Sequence, residues 1–362
     1  MTCGSAARSP FLPPQAALLE QWLIQFGNAE SFAAVVVESE GSFVAALPML
    51  RSRMRGMLSV ATMSSNPWTP SSDLLVDGTA DDEAFDALAG GLIDGPWSLL
   101  WLDFAIIDSQ RWQKLIDACQ RQGYAVNVHP HFLLPKIDIA GTWEEYRGRW
   151  SRNHRQNLSR TRRNLENDHG AVSLRLLQPQ DGQQIAELLA QGFAIEDRSW
   201  KGAAGSSVLR TTGMLNHFTA QARLLAQRGQ LEIAFLDVAD RPIAFLYGWH
   251  AKGVFHAFKT GYDEGFASYS PGQLIIHDVL QSYFRTGSHR AFDCVGPVSP
   301  ATARWQTSNY QAGRIVIAPQ RLMGQAAFFA YKHLAPALRH WRKAISERLV
   351  QDRENVALAK DE

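Results

Sequence analysis

The chain has 362 residues, 46% of them hydrophobic, which is enough to build two domains with cores of their own. Its 36 Lys and Arg residues balance 35 Asp and Glu residues, so overall charge points to neither a nucleic-acid partner nor a membrane surface. The three cysteines lie far apart without a CxxC pair, which argues against a disulfide framework or a zinc site.

The N-terminal segment gives no targeting signal. Residues 1–14 lack a basic start followed by an apolar run, and no apolar stretch of the chain is long enough to cross a bilayer. We therefore expect a soluble protein of the reducing cytoplasm, with no signal peptide and no membrane span.

The first half is predicted to mix short strands with helices. Apolar periodicity and turn residues predict helices over 14–26, 80–90 and 109–122, and strands over 31–37, 42–50, 57–62, 97–102 and 124–135. Two prolines within residues 66–70 predict a loop, because proline breaks a strand ladder.

The second half repeats this order. Helices are predicted over 181–192, 206–228 and 271–285, and strands over 231–237, 242–250, 254–262, 290–294 and 313–318. Three consecutive strands, a helix and a further strand thus occur twice. The halves share negligible sequence identity, so the predicted duplication is one of element order only.

Residues 143–168 are predicted to form an arginine-rich helix. An apolar stripe recurs every three or four positions, at Trp143, Tyr146, Trp150, His154, Leu158, Thr161 and Leu165. No acidic residue lies between Arg147 and Arg163, so pairing within the run cannot neutralise it. We expect either an anionic ligand or acidic groups elsewhere in the fold to neutralise this charge. The alternative is that the arginines form the solvated face of a packed helix.

The helix at 271–285 has an explicit start. Ser270 is a good N-cap, Pro271 fits the first helical position, and Gln273 is placed to complete a capping box. Gly272 puts no side chain over the free N–H groups, so a phosphate can approach them. A merely well-capped helix is the alternative.

These segments carry a family resemblance. Residues 151–160 resemble the start of the CelD-like acyltransferase domain of the GNAT superfamily, and the resemblance continues through 199–202 and 241–245. It is strongest at residues 259–264 (KTGYDE) followed by 269–272 (YSPG), and Phe292-Asp293 closes it. The family is akin to the FemABX aminoacyltransferases, which pair two GNAT-like domains.

The resemblance implies an α+β fold of two tandem GNAT-like domains, each a mostly antiparallel twisted sheet flanked by helices. We expect a degenerate N-terminal domain over 1–140, an active acyltransferase domain over 141–330, and a C-terminal helix and tail over 331–362.

The resemblance implies transfer of an acyl group, typically acetyl, from acyl-CoA to an amine or hydroxyl acceptor such as an amino sugar or polysaccharide precursor. GNAT folds hold the CoA pyrophosphate at the start of the helix that follows the central strands. The donor-binding candidates are therefore Ser270, Gly272, Gln273 and Arg155. The chemistry requires no metal and no covalent enzyme intermediate.

Acyl transfer needs a group that deprotonates the acceptor, a polarised carbonyl and an acid for the thiolate. The catalytic candidates are Asp293, Asp263, Lys259 and Tyr262, and the substrate-binding candidates are Glu196, Trp200, Lys201 and Tyr269. Lys259 alternates with Phe258 along its strand and is expected to face the cleft. Each candidate also has a structural alternative: a capping or loop carboxylate, an edge lysine or a packed aromatic residue.

One departure from the family keeps other functions open. Relatives often carry a Tyr-Lys pair shortly before a Trp, whereas residues 301–304 read Ala-Thr-Ala-Arg before Trp305. The alternatives are an aminoacyl-tRNA-dependent FemABX-type transferase, with the arginine helix on tRNA, and a catalytically inactive scaffold. No DNA partner is expected.

Overall fold

A computed structural model describes residues 16–27, 29–54, 56–66, 68–70 and 73–334. The described residues fall into two compact units. The large unit lies within Met1–Glu30, Ser64–Asp73 and Pro130–Gly313, and the small unit within Ser31–Met63, Leu74–His129 and Arg314–Glu362. The units are discontinuous in sequence, whereas the predicted domains were continuous, and those domain boundaries stay a prediction. Most of the expected C-terminal tail lies outside the described residues.

The helices are α1 Ala16–Phe26, α2 Asp82–Asp94, α3 Gln110–Arg121, α4 Trp143–Gly148, α5 Arg152–His169, α6 Gly182–Asp197, α7 Trp200–Ala203, α8 Met214–Ala226, α9 Pro271–Thr286 and α10 Leu322–Phe329. The strands are β1 Phe32–Ser39, β2 Ser42–Met54, β3 Leu58–Thr62, β4 Ser65–Asn66, β5 Thr69–Pro70, β6 Leu75–Val76, β7 Leu99–Ile106, β8 Ala125–Asp138, β9 Val172–Leu177, β10 Leu231–Val238, β11 Arg241–Ala251, β12 Val254–Tyr262, β13 Ala291–Asp293 and β14 Ser308–Ala318. Short 3₁₀ segments cover Ala29–Ser31 and Glu264–Tyr269, and a π turn covers Ala330–Leu334.

In the small unit the strand order is β1-β2-β3-β7, followed by the part of β14 from Arg314 onward. β1, β2 and β3 pair antiparallel, and β7 then lies parallel to β3, with α2 in the connection. Phe85, Leu88 and Leu92 are buried on α2 at spacings of three and four, which gives this helix one apolar face for the sheet.

The sheet of the large unit has the order β8-β13-β12-β11-β10-β9. Its strands pair antiparallel except β12 and β13, which are parallel and connected through α9. Every residue of β10 is buried, because helices cover both faces. Ile233 and Phe235 pack with α6 and α8, whereas Ala234 and Leu236 pack with α5 and α9.

The predicted fold class is confirmed: mixed α/β structure with mostly antiparallel sheets flanked by helices. The predicted repeat of element order is also present. In each unit three antiparallel strands are followed by a helix and by a strand parallel to the third. None of the helices in the part of the chain that the structure describes is long and apolar enough to cross a membrane.

The single helix predicted over 143–168 is wrong, because the chain breaks between α4 and α5. The side chain of Ser151 accepts a hydrogen bond from His154 N–H and so starts a new helix. Arg155 Nη1 donates to the carbonyl oxygens of Gly148 and Trp150, which ends α4. The apolar stripe survives the break: Tyr146, Trp150, His154, Leu158, Thr161 and Leu165 are all buried.

Three further predictions differ from the structure. Strand β9 was not predicted, because Ser173 and Arg175 interrupt its apolar residues. The helix predicted from 206 starts only at Met214, after Gly213 takes a left-handed conformation with φ of 77°. The loop predicted over 66–70 contains the short pair β4 and β5, since proline at the end of a two-residue ladder removes little pairing.

Candidate active site

The large unit contains a strand edge that opens beside β13. β12 and β13 pair at only three positions, the last being His256 with Asp293, where β13 ends. β12 continues to Tyr262, so within the described residues its edge from Ala257 onward has no strand partner. Free N–H and C=O groups on such an edge can bind an extended ligand.

A β-bulge lies on the other edge of β12. Tyr247 pairs with Lys259 and Gly248 with Ala257, which leaves Phe258 as an extra residue. A bulge breaks the alternation of side chains. Lys259 Nζ accordingly lies 5.0 Å from the centroid of the Phe258 ring, so the predicted alternation of these two residues is wrong. An added Cβ at Gly248 would lie 2.2 Å from the carbonyl oxygen of His256, so only glycine fits opposite the bulge.

Asp293 lies where β12 and β13 diverge, and only 1% of its surface is exposed. Tyr310 OH is 3.0 Å from both carboxylate oxygens, and Val295 N–H donates to Oδ1 at 2.9 Å. His256 Nδ1 lies 3.4 Å from Oδ2 without meeting hydrogen-bond geometry. Val295 has φ of 53°, a strained value for a β-branched residue. Asp293 therefore fixes both this turn and the Tyr310 hydroxyl.

Tyr310 was not identified from the sequence. It lies on the part of β14 that belongs to the large unit, and its contact with Asp293 joins residues of two different strands, which no local pattern encodes. Its partly exposed side chain connects the buried carboxylate to the surface of the unit.

Lys259 lies among three aromatic rings. Its Nζ is 4.6 Å from the centroid of Trp68 and 5.2 Å from that of Phe218, in addition to its contact with Phe258. These distances fall within the range of cation–π attraction. Trp68 and Phe218 are distant in sequence from β12, so this cluster was not predicted.

Two predicted substrate-binding residues form a wall beside β12. The buried carboxylate of Glu196 accepts hydrogen bonds from Lys201 Nζ at 2.8 Å and from Val208 N–H at 3.1 Å. Lys201 Nζ also donates to the carbonyl oxygen of Thr260 at 2.8 Å. An added Cβ at Gly261 would lie 2.7 Å from Cα of Glu196, so α6 packs directly on the strand.

Trp200, the third predicted substrate-binding residue, is 60% exposed. The fourth, Tyr269, donates its hydroxyl to Asp168 at 2.7 Å, and its ring packs edge-on against His169. These contacts tie the end of α5 to the loop before α9, which gives Tyr269 a structural role.

Asp263 is held by two arginines. Its Oδ2 accepts from Arg198 Nε and from Arg241 Nη2, each at 2.9 Å, and its Oδ1 accepts from Gly265 N–H at 3.1 Å. Burial alone would raise the pKa of Asp263, but the hydrogen bonds and the arginine charges outweigh it and lower the pKa below its ordinary value. These bonds fix the loop between β12 and α9, which gives Asp263 a structural role.

The predicted capping box at the start of α9 is wrong. Ser270 follows the 3₁₀ segment in a left-handed conformation, with φ of 52° and ψ of 51°, and its side chain makes no cap bond. Its carbonyl oxygen instead accepts from Gln273 N–H at 2.9 Å and from Leu274 N–H at 3.2 Å. Pro271 has no N–H to donate. In the first turn of α9, the two bonds to the Ser270 carbonyl therefore leave the N–H of Gly272 unused.

Gln273 and Gly272 have different surroundings. Gln273 Oε1 accepts from Trp305 Nε1 at 2.9 Å, which explains why it does not complete a capping box. An added Cβ at Gly272 would lie 3.5 Å from Cδ1 of Tyr262, an ordinary contact distance. Tyr262 is half-buried, and burial followed by the charge of Glu264 raises its pKa.

A cationic cavity of about 890 Å³ lies at the start of α5. It is lined by five arginines and no carboxylate: Arg147, Ser151, Asn153, His154, Arg155, Gln156, Asn157, Ser159, Arg160, Arg163 and Arg304. The ring of His154 packs 4.9 Å from that of Trp305, which connects the cavity to Gln273 on α9. Burial, then the charges of Arg304 and His277, lower the pKa of His154, so it is neutral at pH 7.

One of the two predicted ways of neutralising the arginine charge, an acidic group elsewhere in the fold, occurs on one side of α5. Arg162 pairs with Asp278 on α9 and lies 3.7 Å from Glu166. Arg147, Arg160 and Arg163 face the cavity, and no carboxylate of the described residues lies within 4.0 Å of them. The structure shows no group of three or more potential metal-ligating side chains among its described residues.

Residues 152–307 match the family model described as an acetyltransferase (GNAT) domain. This part of the chain is therefore a GNAT-type domain, and the resemblance to that superfamily is confirmed. No curated protein matches the chain by sequence.

Several solved structures share the fold. The chain is similar to FemX, with a TM-score of 0.56 at 10% identity, covering 88% of this chain and 94% of that one. It is also similar to the C-terminal domain of a putative lysylphosphatidylglycerol synthetase from Agrobacterium fabrum, with a TM-score of 0.52 at 12% identity, covering 88% and 97%. A conserved protein of unknown function from Bacteroides thetaiotaomicron gives 0.51 at 8% identity, covering 83% and 89%. At these identities the likeness shows the fold alone.

Proposed function

We propose that the large unit is an acyl-CoA-dependent N-acyltransferase that moves an acyl group from the thioester to an amine. The observation that carries this proposal is the cavity lined by five arginines and no carboxylate, joined through Trp305 to the first turn of α9. The GNAT-type domain of residues 152–307 supports it. The CelD-like assignment, the cytoplasmic location and a saccharide acceptor stay predictions.

The donor would occupy three elements. The arginines of the cavity suit phosphate groups, because guanidinium forks pair with phosphate oxygens. The N–H of Gly272 and the positive end of the α9 dipole favour the pyrophosphate. The pantetheine amides would bond to groups on the open edge of β12 other than the Thr260 carbonyl, which Lys201 already occupies, and the thioester would then lie near the divergence of β12 and β13.

The reaction forms a C–N bond and breaks the C–S bond. The acceptor nitrogen attacks the thioester carbonyl carbon, and its proton passes to the Tyr310 oxygen while the Tyr310 proton moves to Asp293. A backbone N–H on the open edge of β12 polarises the carbonyl oxygen. Tyr262, beside Gly272, protonates the leaving thiolate.

The test removes charge from the cavity without touching the arginine that is already paired. In the triple variant Arg160→Gln, Arg163→Gln and Arg304→Gln, glutamine keeps side-chain length and helix propensity. We expect affinity for CoA, measured by calorimetry at two salt concentrations, to fall at least about tenfold with a weaker salt dependence. Arg162→Gln is the matched control, because Arg162 pairs with Asp278, and it should leave CoA affinity unchanged.

The same cavity also suits a second candidate, an aminoacyl-tRNA-dependent transferase, because five unopposed arginines fit an RNA backbone as well. In that case the triple variant would lose RNA retention with a reduced salt slope, while the wild type would not bind CoA. Failure of the wild type to bind either ligand would leave the inactive scaffold.

A further inference from the structure

The pocket around Lys259 has no part in the proposed chemistry. We define the Lys259 pocket by the Lys259 ammonium group, the rings of Trp68, Phe218 and Phe258, and the imidazole of His217. The three rings surround Nζ at 4.6 to 5.2 Å, so the amine lies in largely apolar surroundings. The β-bulge at Phe258 turns Lys259 into this pocket.

The charge of Lys259 has no anionic partner in the described part of the chain. An ammonium group has three donors, and ring faces satisfy none of them as a hydrogen-bond acceptor would. The carboxylate that acts on it electrostatically, Glu196, is already bonded to Lys201 and to Val208 N–H. No carboxylate of the described residues lies within 4.0 Å of Lys259 Nζ.

His217 supplies a second hydrogen-bond donor that has no acceptor among the described residues. Gln21 Nε2 lies 2.9 Å from His217 Nδ1, and an amide NH₂ can only donate, so Nδ1 accepts and Nε2 carries the hydrogen. His217 is 2% exposed, and its Nε2 has no partner among the described residues. Burial, then the charge of Lys259, lowers the pKa of His217 to about 4, so the ring is neutral at pH 7. The ring of Phe218, the next residue on α8, lies 5.2 Å from Lys259 Nζ.

We propose that the acceptor amine carries a carboxylate, and that Lys259 and the Nε2–H group of His217 bind that carboxylate. Both groups donate, and a carboxylate only accepts, so the chemistry of the pocket matches it. The surrounding rings exclude water, which strengthens the attraction between ammonium and carboxylate. The inference rests on the proposed function, because it names the substrate class of that transfer, and it gives Lys259 a binding role.

The charge state of Lys259 sets a pH limit on this recognition. Burial lowers the pKa of Lys259 to about 8; the charge of Glu196 opposes this shift and that of Lys201 adds to it. Glu196, Lys201 and His217 are the titratable groups facing it from α6, α7 and α8. Since only the ammonium form attracts a carboxylate, binding should weaken as the pH rises through this pKa.

The binding test uses phenylacetate and phenylacetamide, which have similar shapes and differ in charge. Quenching of tryptophan fluorescence in the full chain reports both ligands. We expect phenylacetate to bind at least about tenfold more tightly than phenylacetamide, and Lys259→Met, which keeps an apolar stem between the rings, to abolish that preference. Lys114→Met, in an exposed pair of the small unit, is the control and should keep it. Equal binding of the two ligands, or no binding of either, would overturn the inference.

A turnover test separates this inference from the proposed function. With acetyl-CoA, 2-amino-2-deoxyglucuronate is compared with glucosamine, and phenylalanine with phenylalaninamide. We expect each carboxylate-bearing acceptor to have the higher kcat/KM in the wild type and to lose that advantage in Lys259→Met. Turnover that ignores the carboxylate would overturn the inference and keep the proposed function. Carboxylate binding that depends on Lys259, without acyl transfer to any amine, would do the reverse.

Discussion

The two units share one order of elements and differ at the start of the helix that follows the third strand. In the large unit, α9 begins with Pro271, Gly272 and Gln273 and has no acidic residue in its first turn. In the small unit, Asp81 caps α2 by accepting from Ala84 N–H at 3.0 Å, and two further acidic residues follow in the first turn. The carboxylates at the start of α2 repel phosphate, and that of Asp81 already accepts from one of the N–H groups there. The start of α9 has no such carboxylate and leaves the N–H of Gly272 free to donate.

The third strand of each unit differs as well. In the small unit β3 pairs with β7 over Val60, Ala61 and Thr62 and ends there. In the large unit β12 continues past its last pair with β13 at His256 as far as Tyr262. The same topology therefore gives an open strand edge in the large unit and a strand that ends with its pairing in the small one. This difference supports assigning the donor site to the large unit.

The largest expected effect concerns the point where β12 and β13 diverge. Asp293→Asn keeps an oxygen for Val295 N–H but removes the charge that would take the proton from Tyr310. We expect kcat to fall about 100-fold or more, with CoA affinity unchanged, as measured by a thiol-release assay and calorimetry.

Tyr310→Phe is the companion variant, because it removes the hydroxyl alone. It should lower kcat to a similar degree if the proton passes through Tyr310. A loss of less than about threefold in Asp293→Asn would instead make Asp293 a structural residue that holds the turn at Val295.

The second effect makes the start of α9 resemble that of α2. Gly272→Glu places a carboxylate at the proposed pyrophosphate site, and the 3.5 Å contact with Tyr262 leaves room for the added carbon. Repulsion at a helix N-terminus should lower CoA affinity by about 30-fold with little change in Tm. Gly272→Gln is the size-matched neutral control. A fall in CoA affinity that is equal in both variants would mean that bulk, and not charge, acts at this position.

The elements that the sequence predicts correctly are encoded by neighbouring residues, and the features that it misses depend on contacts between residues far apart in the chain. Strands β10, β11 and β12, and helix α9, were predicted to within a few residues because alternation, glycine and proline encode them locally. The bulge at Phe258 was missed because it depends on the register with β11. The capping box failed because Gln273 finds Trp305, a partner from a distant loop.

The candidate site divides in the same way. Asp293 and Lys259 were named from the sequence, but the contacts that suggest their roles come from Tyr310 and Trp68, which lie far away in the chain. Asp263 shows the opposite case. Its place after a strand suggested catalysis, whereas two arginines from other elements hold it in ion pairs.

The third effect tests that structural reading of Asp263 through pH. Its folded pKa lies below the ordinary 3.8, so its ion pairs stabilise the fold above that pH and are lost as the pH falls through the folded pKa. Asp263→Asn should cost about 1.5 kcal/mol at pH 7, between the values for exposed and buried pairs. The difference in free energy of unfolding from the wild type should shrink on acidification below about pH 4. A difference that is constant from pH 7 to pH 3 would contradict the ion-pair role.

The smallest effect probes the start of α2 in the small unit. Asp81→Ala removes the side chain that accepts from Ala84 N–H, and loss of such a cap costs about 1 kcal/mol in free energy of unfolding by urea denaturation. Asp81→Asn keeps an accepting oxygen and should cost less. Because the donor site is assigned to α9, both variants should leave CoA affinity and kcat unchanged. If Asp81→Ala changed CoA affinity as much as Gly272→Glu, the two helix starts would not differ in function, and the comparison of the two units would no longer identify the one that binds the donor.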